Sequence, residues 1–116
     1  MQLAYPAVVC VTIAINAAVA AADYAGAEFV LANSAQVHVP DSWLPTLATL
    51  KLAGAIGLLI GLLGVRPLGI AAAAGLVVFF VGAVITHVRA GVYYNIAFPG
   101  WFLAMAAASL VLFVGH

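Results

Sequence analysis

The chain has 116 residues, 68% of them apolar and 5% charged, with a formal net charge of zero and a mean hydropathy of +1.30. Soluble domains are about half apolar and about a quarter charged, and a fold this small has too little interior to hide the excess, so the chain reads as an integral membrane protein. The neutral balance excludes the basic footprint of a nucleic-acid binder and a polybasic patch for anionic lipid. One cysteine, Cys10, excludes an internal disulfide or dithiol relay.

A spanning helix needs about twenty predominantly apolar residues. Leu3 to Ala22 is the first such stretch. Its end, "AVAAADYA", resembles a signal-cleavage region, but no basic residue precedes the run and the run is longer than a typical signal core, so it is read as a retained span. Cys10 lies within it as a small hydrophobe, with nothing nearby to favour a thiolate. The link from Asp23 to Asp41 mixes apolar and polar residues. It is expected to prolong the first helix to about Ser34, or to lie along the interface, and then to turn through "HVPDS". Asp41 and Ser42 are candidate N-caps for a second span, Trp43 to Val65. "GVRPLG" is a tight turn, with Pro67 suited to the first turn of a third span ending at Val88. A fourth runs from Phe98 to Gly115, with Pro99 near its start. Backbone groups in lipid must be satisfied internally, and runs this long lack the alternation of a barrel. The expected fold is an all-α membrane protein, a single antiparallel four-transmembrane-helix bundle over residues 1–116.

That topology gathers Asp23, Glu28, His38, Asp41, Lys51, His87, Arg89 and Asn95 at one membrane face, with Tyr24, Trp43, Tyr93, Tyr94 and Trp101 as an aromatic belt at headgroup depth. The opposite face has Arg66 and His116. Arg66 argues for a cytoplasmic turn between spans two and three, whereas Lys51 and Arg89 argue the reverse. The orientation adopted is both termini cytoplasmic, in a bacterial inner membrane.

Thr12, Asn16 and Asp23 fall on one face of span one. Asn16 lies mid-membrane and serves either as interhelical glue, at about 0.6–2 kcal/mol, or as a ligand contact. Lys51 sits about two turns inside span two. It either snorkels to the interface, pairs with Asp23 or Glu28, or stands as a proton donor or anion anchor. Gly54, Gly57, Gly61 and Gly64 form a stripe that lets a neighbouring helix approach. In span three Gly75, Gly82, Thr86 and Arg89 share a face, and His87 points about 160° from Arg89. If the glycine face packs, Arg89 points inward; if the helix ends or kinks after Thr86, both line one pocket. Either cation also complements a helix C-terminus. There is no established catalytic motif, and no metal or haem site is expected, His38 lying in a polar link beside a proline.

The stretches "LPTLATLKLAGAIGLLIGLLG" and "RPLGIAAAAGLVVFFVGAVITHVRAG", followed by a Phe/Trp-led last span, resemble the DoxX-like family of small four-span membrane proteins. In that family span two carries an ionisable residue followed by spaced glycines, and span three ends in a histidine before a short polar link. Lys51 and His87 match those places. Many relatives have a glutamate at the position of Lys51, so roles assigned to an acid there do not transfer. The wider family includes a membrane subunit of thiosulfate:quinone oxidoreduction, partners in redox-stress complexes, and cargo receptors or assembly chaperones.

Three functions follow as expectations. The first is binding of a lipophilic ligand, quinone- or isoprenoid-like, in association with a redox process. Its head would sit among Asn16, Asp23, Lys51, His87 and Arg89, with Tyr94 and Trp101 as further contacts. Lys51, His87 and Asp23 are the expected proton-transfer groups. There is no intrinsic cofactor beyond a quinone held as ligand, so electrons would pass through a partner membrane or redox protein. The second is an accessory or assembly subunit, docking to a larger complex or to a second copy through glycine-rich faces. The third is a cofactor-free enzyme using acid–base chemistry on a lipophilic substrate. A ligand site predicts a cavity open to the polar end with Lys51 and His87 side chains turned towards it; an accessory role predicts those groups spread outward among headgroups.

Overall fold

A computed structural model describes residues 4–93 and 96–115, apart from the side chains of Phe29, Asn33, Ser34 and Asp41. Leu3, Tyr94, Asn95 and His116 lie outside the described residues. Helix α1 spans Ala4–Ala25, α2 Glu28–Gln36, α3 Leu44–Leu62, α4 Arg66–Ala90 and α5 Ala97–Gly115, with a 3-10 turn at Asp41–Trp43 before α3. Helices α1, α3, α4 and α5 are long and apolar enough to cross a membrane. Apolar residues cover their whole circumference, so Leu59, Val78 and Val111 stand exposed, as expected of a surface that meets lipid.

The first helix does not run on to Ser34. Gly26 adopts a left-handed φ of +63°, its amide bonds the Asp23 carbonyl, and the chain restarts as α2 with Glu28 favourably placed in its first turn. Nor does Asp41 or Ser42 hold the N-cap position of α3. The 3-10 turn runs straight into the helix, so Trp43 takes the cap position without a side-chain bond, and Pro45 removes one of the amides a cap would serve.

The spanning helices form a ring in which each runs opposite to its neighbours. Asp23 and Tyr24, at the end of α1, meet Lys51 and Thr49, near the start of α3. Along α3 and α4, Gly54 faces Leu76, Gly57 faces Ala72 and Gly61 faces Gly69, so one chain ascends as the other descends. Phe80 of α4 packs on Phe102 of α5 at 5.2 Å between ring centroids, and Phe113 of α5 meets Tyr5 of α1 edge-on at 5.3 Å. Val9, Leu58, Leu76, Phe80, Phe102 and Phe113 form the shared core. The α3 glycines do what their spacing suggests: a Cβ on Gly57 would stand 2.6 Å from that of Ala72.

At the end opposite Lys51, the Arg66 Nε–H donates to the Phe113 carbonyl (2.7 Å) and an Nη2–H to that of Val114 (2.6 Å). A cation thus closes the C-terminus of α5, where the helix dipole favours it. Arg66→Met is expected to lower stability by about 1 kcal/mol, read as a fall in the thermal midpoint in detergent; no fall would mean that water serves those carbonyls equally well.

Candidate functional site

Helix α1 buries Val9, Thr12, Asn16, Ala20 and Asp23 on one face, a 3-4 spacing that carries three polar groups into the bundle. Asp23 sits in the last full turn, level with the second turn of α3. There its Oδ2 accepts from Lys51 Nζ at 2.7 Å, with side-chain exposures of 2% and 12%. The lysine therefore does not snorkel. Its ammonium also lies 5.5 Å from the centroid of the Phe79 ring in α4, a cation–π contact that ties three helices at one level. An ammonium has three N–H donors, so the Asp23 bond leaves capacity for a further acceptor.

Deeper along α1, the Thr12 hydroxyl donates to the Val8 carbonyl (2.8 Å) and stands 3.0 Å from the Ser109 hydroxyl of α5. Asn16 Nδ2 donates to the Thr12 carbonyl at 2.9 Å. Its Oδ1 is buried without a hydrogen-bond partner among the described residues. Asn16 thus bonds back to its own helix one turn earlier and presents an acceptor without a partner among the described residues, about 10 Å along the axis from Asp23.

His87 and Arg89 are placed the opposite way round from the glycine-face expectation. Helix α4 continues unbroken to Ala90 and packs through Gly69, Ala73, Leu76, Phe80 and His87, leaving Gly75, Gly82 and Arg89 exposed. With no water outside, small residues need not mark the packed side. The buried His87 ring hydrogen-bonds the Ala83 carbonyl through Nδ1 at 2.9 Å; a carbonyl only accepts, so Nδ1 carries the proton. His87 lies eight residues beyond Phe79, about 12 Å along the axis. The helix positions of Lys51 and His87 therefore lie at two levels of the polar end, and among the described residues neither lines the α3–α4 groove or the cavity beside Arg89. Tyr24, Trp43, Tyr93 and Trp101 are exposed around that end. Tyr94 lies outside the described residues.

A feature the sequence reading missed lies on the lipid side of α3 and α4. A groove of about 480 Å³ opens where Ala53, Gly54 and Gly57 face Ala71, Ala72 and Gly75, running from Leu68 at one end to Leu50 and Phe79 at the other. Its Phe79 end is level with the Asp23–Lys51 pair. The small residues were visible in the sequence; their register against one another was not.

Four antiparallel helices of membrane-spanning length, with an ion pair locked between them, define a multi-pass integral membrane protein. The chain belongs to the DoxX-like family, whose sequence model matches residues 7–109, a stretch that holds Asn16, Asp23, Lys51, His87 and Arg89. No curated protein and no solved structure matches it.

Proposed function

We propose that the protein binds a lipophilic molecule of quinone or isoprenoid type, its tail in the α3–α4 groove and its oxygen-bearing head at the Phe79 end, beside Lys51 and Asp23. The observation that carries this reading is where the groove ends. It follows α4 from Leu68 to Phe79, about 16 Å of helix, close to the roughly 15 Å of one hydrocarbon leaflet, and it stops at the ring over which the ammonium sits. Lys51 has N–H donors to spare for a carbonyl or hydroxyl oxygen, and Asp23 fixes its position. His87 and Arg89, two to three turns further along α4, are not assigned to this head. Electrons would be carried by a partner protein, which makes the chain an accessory to a redox reaction.

Photo-crosslinking with a benzophenone-bearing prenyl-quinone analogue tests this. Peptide mapping is expected to place the label on residues 53–57 and 71–79. A Cβ on Gly75 meets nothing within 4 Å, so Gly75→Leu enters the groove from an open position and is expected to lower labelling about tenfold or more while folding normally. Label spread over all four helices and unchanged in Gly75→Leu would overturn the proposal. A second reading rests on Ala71 and Gly75, exposed and four residues apart, a spacing that also receives a partner helix. In that case Gly75→Leu changes the oligomeric mass and not the labelling.

A further inference from the structure

A second cavity, of about 330 Å³, lies at the polar end of α4, lined by Val37, His38, Thr86, Arg89 and Ala90. Two of these five side chains are nitrogen donors. Arg89 is exposed in the last turn of α4 and has no hydrogen-bond or ion-pair partner among the described residues. The Asp23 carboxylate is held by Lys51 at the Phe79 level, about 15 Å of helix away. Thr86 gives its proton to the Gly82 carbonyl at 2.7 Å, so among the lining residues the side-chain donors left over are the guanidinium of Arg89 and the imidazole of His38.

His38 adds a second observation. It stands in the turn two residues beyond α2, its amide bonding the Ala35 carbonyl, with φ +65°, the one left-handed non-glycine among the described residues. Backbone alone favours glycine or asparagine at such a position, and histidine is tolerated there at some strain. The chain places an imidazole where a glycine would sit more easily, and that imidazole borders the cavity Arg89 borders.

We propose that this cavity binds a phosphate group at the membrane surface, with Arg89 and His38 as its donors. An arginine offers phosphate a bidentate, charge-assisted contact. At roughly 30 Å³ per water, the cavity admits a phosphate with several waters. The C-terminus of α4 would by itself repel an anion, but the carbonyls of His87 and Val88 are taken by the amides of Val92 and Gly91, and a full charge on Arg89 exceeds the half-charge of a helix end. Exposed Trp43 and Tyr93 mark headgroup depth, which makes a phospholipid headgroup the natural source; free phosphate carries the same chemistry.

The test is native mass spectrometry of the full chain in detergent, with dioleoylphosphatidylglycerol, dioleoylglycerol and inorganic phosphate as probes. Retention of the phospholipid but not of dioleoylglycerol is expected, with Arg89→Gln and His38→Asn each weakening it about tenfold or more. Asparagine keeps the left-handed backbone, and His38→Gly, which relieves it, is expected to lose the same affinity with an unlowered thermal midpoint. Inorganic phosphate that binds alone, with the same dependence on both residues, would uphold the site and assign it to free phosphate. Equal retention of the two lipids, or phospholipid retention unchanged in all three variants, would overturn the proposal.

Discussion

Lys51→Met is expected to lower stability by about 3–5 kcal/mol. The variant leaves the Asp23 carboxylate buried and uncompensated at a site where its partner stood 2.7 Å away, and it removes the cation from the face of Phe79. Taking two charges out of water is itself expensive, so the pair as a whole adds far less than either deletion removes. The double variant Asp23→Asn with Lys51→Met is therefore expected to lie within about 1–2 kcal/mol of wild type. A double-mutant cycle by denaturant titration in mixed micelles separates the two. If Lys51→Met unfolded at the wild-type midpoint, the carboxylate would be reaching water and the pair would not be an interior one.

Gly61→Leu is the second large effect, at about 3 kcal/mol or more. A Cβ at Gly61 would run into the backbone of Gly69 and reach 3.1 Å from the Phe113 ring. Neither neighbour is the free end of a flexible side chain, so α3 and α4 must part along their length. Gly82→Ala, on the outer face of α4 with nothing within 4 Å of its Cβ, is expected to be neutral or to stabilise by up to about 1 kcal/mol. Thermal unfolding with size-exclusion profiles distinguishes them. Equal effects of the two would mean that α3 and α4 are not in backbone contact.

That contrast also shows what was legible in the sequence. The four spans, the polar end and the shared face of Thr12, Asn16 and Asp23 depend on local periodicity, and the Asp23–Lys51 pair was among the alternatives because antiparallel spans bring those ends together. The break at Gly26 was not legible, since "DYAGAEFVLANS" holds one glycine and no proline. The inward side of α4 was not legible either. A helix apolar all round has no polar face to orient it, so glycines stood in for the packed side, and His87, not Arg89, turned out to be buried. The α3–α4 groove, the seat of Lys51 over Phe79 and the cavity shared by His38 and Arg89 depend on register between helices distant in sequence, which no local pattern encodes.

The most direct measurement of ligand binding is organic extraction and native mass spectrometry of the gently purified protein, comparing wild type, Gly75→Leu and the Asp23→Asn/Lys51→Met double variant. A stoichiometric quinone- or isoprenoid-type molecule is expected in the wild type, lost when the groove is filled and diminished when the ion pair is neutralised. Bulk phospholipid alone in the wild type, or a prenyl lipid equally abundant in all three, would contradict a ligand seated in the α3–α4 groove.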